Sequence, residues 1–427
     1  MREKIFLISV FNKSNRRDEY EENISELHQL ATTAELKIAD SFVQTLQKPN
    51  FTTYIGKGKI QEIAEEAKLK EVKTLIFNDN LSPAQSRNIS NITECNVVDR
   101  TELILDIFAK HAGTKQAKLQ VELAQLEYSF SKLKRMWKHL SRIQGGIGFR
   151  GPGEKQIEVD RRDIRRRTAI LKKKLSEIEN TTIIKRKKRK NAVSVALVGY
   201  TNAGKSTLFN LLTKENRYVA DQLFATLDSK TRGLHPIENE NVVLTDTVGF
   251  IRNLPHKLIS SFHSTLTDVT EADLLLHVVD VSSPSISDYI ESVNVVLEEL
   301  KCKDKNVLMI FNKIDMVEGK MFSFLKKELS IKFPHSVFLS AKTGENTEAL
   351  ISKIEEFTQK LKMTAKINVP DSMQSLISFI YKNTDVLKVD FDTENNEYLF
   401  ELKVTGNILA SVTKQIEKNK LENYINE

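Results

Sequence analysis

Val193-Ser194-Val195-Ala196-Leu197-Val198-Gly199-Tyr200-Thr201-Asn202-Ala203-Gly204-Lys205-Ser206-Thr207-Leu208-Phe209 is the stretch whose reading decides the fold. Its first half is apolar and β-branched and reads as a buried strand, while Leu208, Phe209, Leu211 and Leu212 read as the packed face of a following helix. Between them stands the spacing of a phosphate loop. Gly199 and Gly204 let the backbone wrap closely, so that amides from Tyr200, Thr201, Asn202 and Ala203 through Thr207 can face phosphate oxygens, with the helix dipole behind them. Lys205 is expected to reach the β- and γ-phosphates, and Ser206 to give its hydroxyl to Mg²⁺, a hard ion that prefers oxygen ligands.

The base is read further along. Asn312-Lys313-Ile314-Asp315 ends the apolar stretch Val307 to Phe311, at the carboxyl end of a strand where open α/β sheets bind ligands. A carboxylate at Asp315 accepts from both the ring N–H and the exocyclic amine of guanine, a pair of donors that adenine lacks. Asn312 is expected to brace the loop, and Ser340-Ala341-Lys342 to form the second base-side element after the short strand Val337 to Leu339. The nucleotide is therefore GTP or GDP.

Between these motifs lie two switches. Asp246-Thr247-Val248-Gly249 closes the run Val242, Val243, Leu244, which sets Asp246 to bind Mg²⁺ and the Gly249 N–H to sense the γ-phosphate. Phe224-Ala225-Thr226 supplies Thr226 as the threonine that closes over the ion. Lys205, Thr226 and Gly249 are thus the catalytic candidates, and Ser206, Thr226 and Asp246 the metal candidates. The residue after Gly249 is Phe250, where many signalling GTPases carry a water-orienting glutamine. Slow hydrolysis in isolation is expected.

The 427 residues exceed one core. Cys95 and Cys302 stand far apart, which supports neither a disulfide framework nor a zinc site and fits a reducing cytosol. No segment reaches the roughly 18 apolar residues of a membrane span, and the charged start Met1-Arg2-Glu3-Lys4 does not resemble a signal peptide. Net charge is +7, concentrated in Arg161 to Arg167 and Lys185 to Lys190, which favours a polyanionic partner.

From Leu103 through Leu140 no proline interrupts a helical spacing of apolar residues that includes Leu119, Leu123, Leu126 and Phe130. Gly145 to Gly153 then packs five glycines and a proline into nine residues before a charged helical pattern resumes. A helical hairpin is expected, with arms of about thirty residues reaching on the order of 45 Å. Its tip has little steric bulk. Arg142, Gly145, Gly146, Gly148, Arg150, Gly151 and Gly153 are the candidate RNA contacts.

His139-Leu140-Ser141-Arg142, Gly145-Gly146-Ile147-Gly148, Arg150-Gly151-Pro152-Gly153-Glu154 and Asp160-Arg161-Arg162 together resemble the hallmark of the HflX family of bacterial GTPases. Lys118 to Leu126 is similar to its preceding helix, and Asp246 to His256 to its second switch. The resemblance runs from Tyr54 to about Leu361, with Lys155 departing from the family's usual threonine. It implies a protein that binds the large ribosomal subunit and its RNA in the GTP form, splits stalled or idle ribosomes, and hydrolyses GTP faster on the subunit. By resemblance to GTPases of the TrmE-Era type, Asn202 implies a potassium ion beside the phosphates.

The expected fold class is α/β: a small α/β N-terminal domain (1–100), a long helical hairpin (101–190), a phosphate-loop GTPase domain (191–362) and a small α+β C-terminal domain (363–427). Helices are expected over Ile60 to Leu69 and Met373 to Lys382, and strands over Ile5 to Val10, Thr74 to Phe77, Leu387 to Phe391 and Tyr398 to Val404. Gly56-Lys57-Gly58-Lys59 reads either as a plain turn or as a contact to phosphate, of RNA or of a second nucleotide. A cytoplasmic, partly ribosome-associated monomer is expected. Two other classes stay open: a ribosome-assembly or RNA-modification GTPase, and a nucleotide-switched RNA-binding module without turnover in its role.

Overall fold

Ile5, Phe6, Leu7 and Ile8 are all buried, because β1 (Lys4–Asn12) lies inside a parallel sheet covered on both faces. The period of two sends Ile5 and Leu7 to one face and Phe6 and Ile8 to the other. The sheet order is β2 (Lys37–Leu46), β1, β3 (Thr74–Phe77), β4 (Asn96–Asp99), all parallel. Helices α1 (Arg17–Thr33) and α4 (Arg100–His111) cover the first face; α2 (Lys57–Lys70) and α3 (Pro83–Thr93) cover the second. Capping boxes start two of them, Ser82 with Gln85 for α3 and Asp99 with Glu102 for α4. The computed structural model describes residues 3–12, 17–143, 152–187, 192–214, 223–224, 226–234, 242–252 and 263–426.

The helical run expected from Leu103 through Leu140 is two helices. It breaks at Ala112-Gly113-Thr114, so α4 packs on the first sheet and α5 (Lys115–Ile143) starts afresh. Val121 and Ala124 join the core beneath α1 and α4, while Tyr128 donates to Asp99 at 2.6 Å and Lys132 pairs with Asp99 and Glu102. Helix α6 (Pro152–Lys187) packs on α5 through Leu123, Leu171 and Leu175. The arginine run is partly structural: Arg167 pairs with Glu122 at 2.6 Å, and Arg161 and Arg165 flank the Phe130 ring. The expected tip residues Gly145, Gly146, Gly148, Arg150 and Gly151 lie outside the described residues.

A second sheet runs β10 (Val337–Phe338), β9 (Asn306–Asn312), β8 (Leu274–Asp280), β5 (Val193–Gly199), β7 (Val242–Asp246), β6 (Lys230–Gly233). Only β6 is antiparallel. Helices α7 (Lys205–Thr213) and α11 (Thr347–Leu361) pack on one face; α8 (His263–Glu271) and α9 (Ile286–Glu299) pack on the other. Helix α10 (Gly319–Lys332) seats Leu329 near Phe311 and Phe338. This order brings the ends of β5, β7, β9 and β10 to one rim.

Leu361 leads directly into β11 (Lys362–Pro370), the first strand of an antiparallel sheet with order β11, β13 (Glu397–Thr405), β12 (Asp385–Asp392). Helices α12 (Gln374–Asn383) and α13 (Gly406–Asn426) bury Ile377, Ile380, Ile408 and Val412 against it. The turn expected at Gly56-Lys57-Gly58-Lys59 is instead the start of a helix: Gly56 is the N-cap of α2, its N–H donates to Gln44 Oε1 at 2.7 Å, and Lys59 pairs with Glu62 at 2.6 Å. Both cysteines are buried and free. Among the described residues no helix is long and apolar enough to cross a membrane.

Candidate nucleotide site

Strand β5 ends at Gly199, whose φ of 151° brings it so close to Val278 that a β-carbon would run into the Val278 carbonyl oxygen. The loop closes at Gly204, with φ 91°, and α7 begins at Lys205. The amides of its first turn have no intrahelical partner, which makes this rim a natural seat for an anion. Two loop amides are used internally instead of facing outward: Thr201 N donates to Phe250 O at 2.7 Å and Ala203 N to Tyr200 O at 3.3 Å. The Tyr200 side chain turns away too. Its hydroxyl donates to Glu26 Oε1 at 2.7 Å, and its ring stacks on Tyr289 with centroids 4.1 Å apart.

Lys205 is buried, and its Nζ donates to the carbonyls of Gly199 (3.1 Å) and Tyr200 (2.7 Å). Burial lowers its pKa to about 8, against the pull of the Asp246 charge. Burial likewise raises the pKa of Asp246, with Lys205 the chief opposing influence. Gly249 lies beside both loop and lysine: a β-carbon there would meet Thr201 Cα at 2.9 Å and Lys205 Nζ at 3.0 Å.

Three oxygens converge next to that lysine. Ser206 Oγ lies 2.8 Å from Asp246 Oδ2 and 2.8 Å from Thr226 Oγ1, and Thr226 Oγ1 donates to Asp246 Oδ2 at 2.9 Å. The other carboxylate oxygen, Asp246 Oδ1, is buried without a hydrogen-bond partner among the described residues. Ser206, Thr226 and Asp246 come from three separate segments. An all-oxygen set with an unsatisfied carboxylate atom suits a hard divalent cation.

At the far end, Asn312 is a strut. Its Nδ2 donates to Ala203 O at 2.8 Å and its Oδ1 accepts from Ala341 N at 2.9 Å, joining the phosphate loop to the loop after β10. Ser340 Oγ donates to Asp315 Oδ1 at 2.6 Å, orienting the carboxylate, and Lys313, at φ 66°, pairs with Asp280 at 2.7 Å. A cleft of about 520 Å³ unites these parts, within the size range of nucleotide-sized pockets.

Of the residues named from sequence, Thr201, Asn202, Gly204, Lys205, Ser206, Thr207, Phe224, Thr226, Thr247, Gly249, Asn312, Lys313, Asp315, Ala341 and Lys342 line the cleft. Gly199, Ala203, Asp246, Val248 and Ser340 stand behind that lining, and Ala225 lies outside the described residues. Met316 also lines it, and sequence reasoning passed over it, although it directly follows Asp315. His277 was missed as well: it is buried on β8, both ring nitrogens lack partners among the described residues, and burial with the nearby Lys205 charge lowers its pKa to about 3. A smaller cavity of about 120 Å³ lies between His277, Thr201 and the α1 residues Glu22 and Gln29.

Over 423 residues, 98% of this chain and 96% of the relative's length, the sequence is 40% identical to "GTPase HflX" of Magnetococcus marinus. The chain belongs to the HflX family of GTPases. It is also 43% identical to "GTPase HflX" of Escherichia coli strain K12 over 342 residues, 80% of each chain. Three family patterns match in series: "GTP-binding GTPase N-terminal" over residues 21–109, "GTP-binding GTPase Middle Region" over 111–189 and "50S ribosome-binding GTPase" over 194–313. Among solved structures, a GTP-binding protein from Sulfolobus solfataricus in complex with GDP is 29% identical, covering 84% of this chain and all of its own, with a TM-score of 0.44. As an HflX-family protein the chain is a GTPase, with its phosphate loop and the Asp246–Gly249 stretch inside the residues that match the 50S ribosome-binding family.

Proposed function

We propose that the protein takes Mg²⁺ and GTP into this cleft, binds the large ribosomal subunit in that state, and separates stalled or idle ribosomes into subunits. The observation that carries the reading is the meeting of Ser206, Thr226 and Asp246, one from the phosphate loop and one from each switch. These three would hold Mg²⁺, and the buried, unpartnered Asp246 Oδ1 supports the fit. When bound, the ion offsets negative charge on the β- and γ-phosphates. Lys205 compensates the same charge from the loop side, Gly249 offers its N–H to the γ-phosphate, and Asp315 selects guanine through its paired acceptors.

Phe250 keeps its ring buried and contributes only backbone bonds to Gly199 and Thr201. Phe250, directly after Gly249, cannot orient water, so hydrolysis is slow until the subunit, or a potassium ion at exposed Asn202, completes the site. The division at 1–100, 101–190, 191–362 and 363–427 belongs to the same reading once its first boundary is moved past α4, which packs on the first sheet, with the hairpin of α5 and α6 carrying Arg142, the glycine-rich tip and Gly153 to ribosomal RNA. So does a cytoplasmic monomer.

Light scattering of purified ribosomes tests it. Addition of the protein with GTP, or with a non-hydrolysable analogue, should lower the signal as subunits part, and shortening Gly145 to Gly153 should prevent this while sparing nucleotide binding. Retention of intact ribosomes by the wild-type protein, with binding confined to precursor particles, would favour an assembly role instead. Large-subunit binding without stimulated hydrolysis would reduce the protein to an RNA-binding switch.

A further inference from the structure

Asp228 sits where the nucleotide site meets the base of the helical hairpin. Its Oδ2 accepts from Gly113 N and Thr114 N, each at 3.0 Å, and its Oδ1 accepts from Thr114 Oγ1 at 2.5 Å. Thr114 in turn starts α5: its Oγ1 accepts from Ala117 N at 3.1 Å and its carbonyl from Lys118 N at 3.0 Å. A carboxylate from another part of the chain thus reinforces the N-terminus of α5, where negative charge is favourable.

The same segment reaches the cleft. Thr226, two residues before Asp228, completes the triangle with Ser206 and Asp246, and Phe224 lines the cleft while meeting Phe108 of α4 edge to face at 4.6 Å. On the other side, Ser229 donates to Asp268 of α8 at 2.7 Å and Lys230 enters β6 opposite Asp246. Two residues of chain span at most about 7 Å. A shift of Thr226 by several ångströms must therefore drag Asp228 or break its three bonds to the hairpin base.

We propose that Asp228 is a positioning residue for GTP hydrolysis: it anchors the Thr226 segment over the metal-binding oxygens by fastening it to the N-terminus of α5. The inference rests on the reading of Ser206, Thr226 and Asp246 as the seat of Mg²⁺ and triphosphate. Linkage makes the tie reciprocal. A ligand gripping the hairpin in its fastened position raises the fraction of protein with Thr226 in place, and a triphosphate steadies the hairpin.

Hydrogen exchange at residues 113–118, with GDP and with a non-hydrolysable GTP analogue, tests this in the full chain without ribosomes, alongside GDP affinity and GTP turnover. In the wild-type protein, exchange at these amides should slow with the analogue. In Asp228→Ala that nucleotide dependence should vanish, and kcat should fall about tenfold, in the usual range of coupling energies, with KM little changed. Asp228→Asn keeps an acceptor without the charge and should restore part of the rate. Thr114→Val combined with Asp228→Ala should be no worse than Asp228→Ala alone. Nucleotide-independent exchange in the wild type, or a wild-type kcat in Asp228→Ala, would overturn the proposal while normal GDP binding left the nucleotide site standing; failure of GDP to bind would sink both.

Discussion

The side-chain amide of Asn312 occupies the space that a β-carbon on Gly204 would need. That crowding is what lets Asn312 reach Ala203 O while holding Ala341 N, so the phosphate loop and the loop after β10 keep a fixed separation. Gly204→Ala meets both the collision and a φ of 91°, strain of about 1–3 kcal/mol. Fluorescent-nucleotide titration should show GDP and GTP binding at least about tenfold weaker. Asn312→Ala removes both struts and should weaken binding by about 5- to 100-fold; an unchanged Kd in either variant would contradict the assigned geometry.

Ser206→Ala deletes one of three converging oxygens. Its effect should depend on the metal: with Mg²⁺ present GTP affinity falls by about tenfold or more, and with EDTA wild type and variant become alike. Equal losses in both conditions would mean that Ser206 serves the fold and not the ion.

Asp315→Asn keeps the bond geometry to Ser340 but offers one donor where guanine also needs an acceptor. GTP affinity should fall by about 5- to 100-fold. Xanthine carries a carbonyl in place of the guanine amine, so the variant should gain affinity for the xanthine nucleotide. Competition binding with the two nucleotides checks the exchange of preference, and its absence would remove Asp315 from the base pocket.

His277 should make the fold acid-sensitive. Its folded pKa of about 3 lies below the unfolded value, so the unfolded chain takes up the proton first as pH falls. Stability is full above about pH 6.5 and is lost progressively toward pH 3, by on the order of a few kcal/mol. The raised pKa of Asp246 acts in the opposite direction and is common to both proteins compared. Urea midpoints at pH 7 and pH 4.5 should diverge in the wild type and converge in His277→Leu; identical slopes would argue against a buried neutral imidazole.

The sequence made the local chemistry readable because each motif straddles one strand end and the turn beyond it. Gly199 to Thr207, Asp246 to Gly249 and Asn312 to Asp315 each carry strand, loop and functional atom within ten residues, so the lining of the cleft could be named in advance. Edge strand β2 was harder to see. β2 breaks its apolar residues with the adjacent pair Asp40-Ser41 and again with Gln44, and stays half exposed, leaving no clean alternation to read. The break at Gly113 passed unseen because the apolar spacing of α4 and α5 continues in phase with one helix. What fixes that break is Asp228, more than a hundred residues away, and no local pattern records such a contact.

Tyr200 and Glu26 are 174 residues apart in the chain, and that separation bears on how the protein is made. The first sheet has all its strands once Asp99 has been synthesised. At about 5–20 residues per second, roughly 5 to 20 seconds pass before Tyr200 follows. During that interval Glu26 already has a partner of its own, Arg100, at 2.8 Å. The emerging N-terminal layer thus carries its acidic helix partly neutralised, ready as a finished template when the phosphate loop leaves the ribosome.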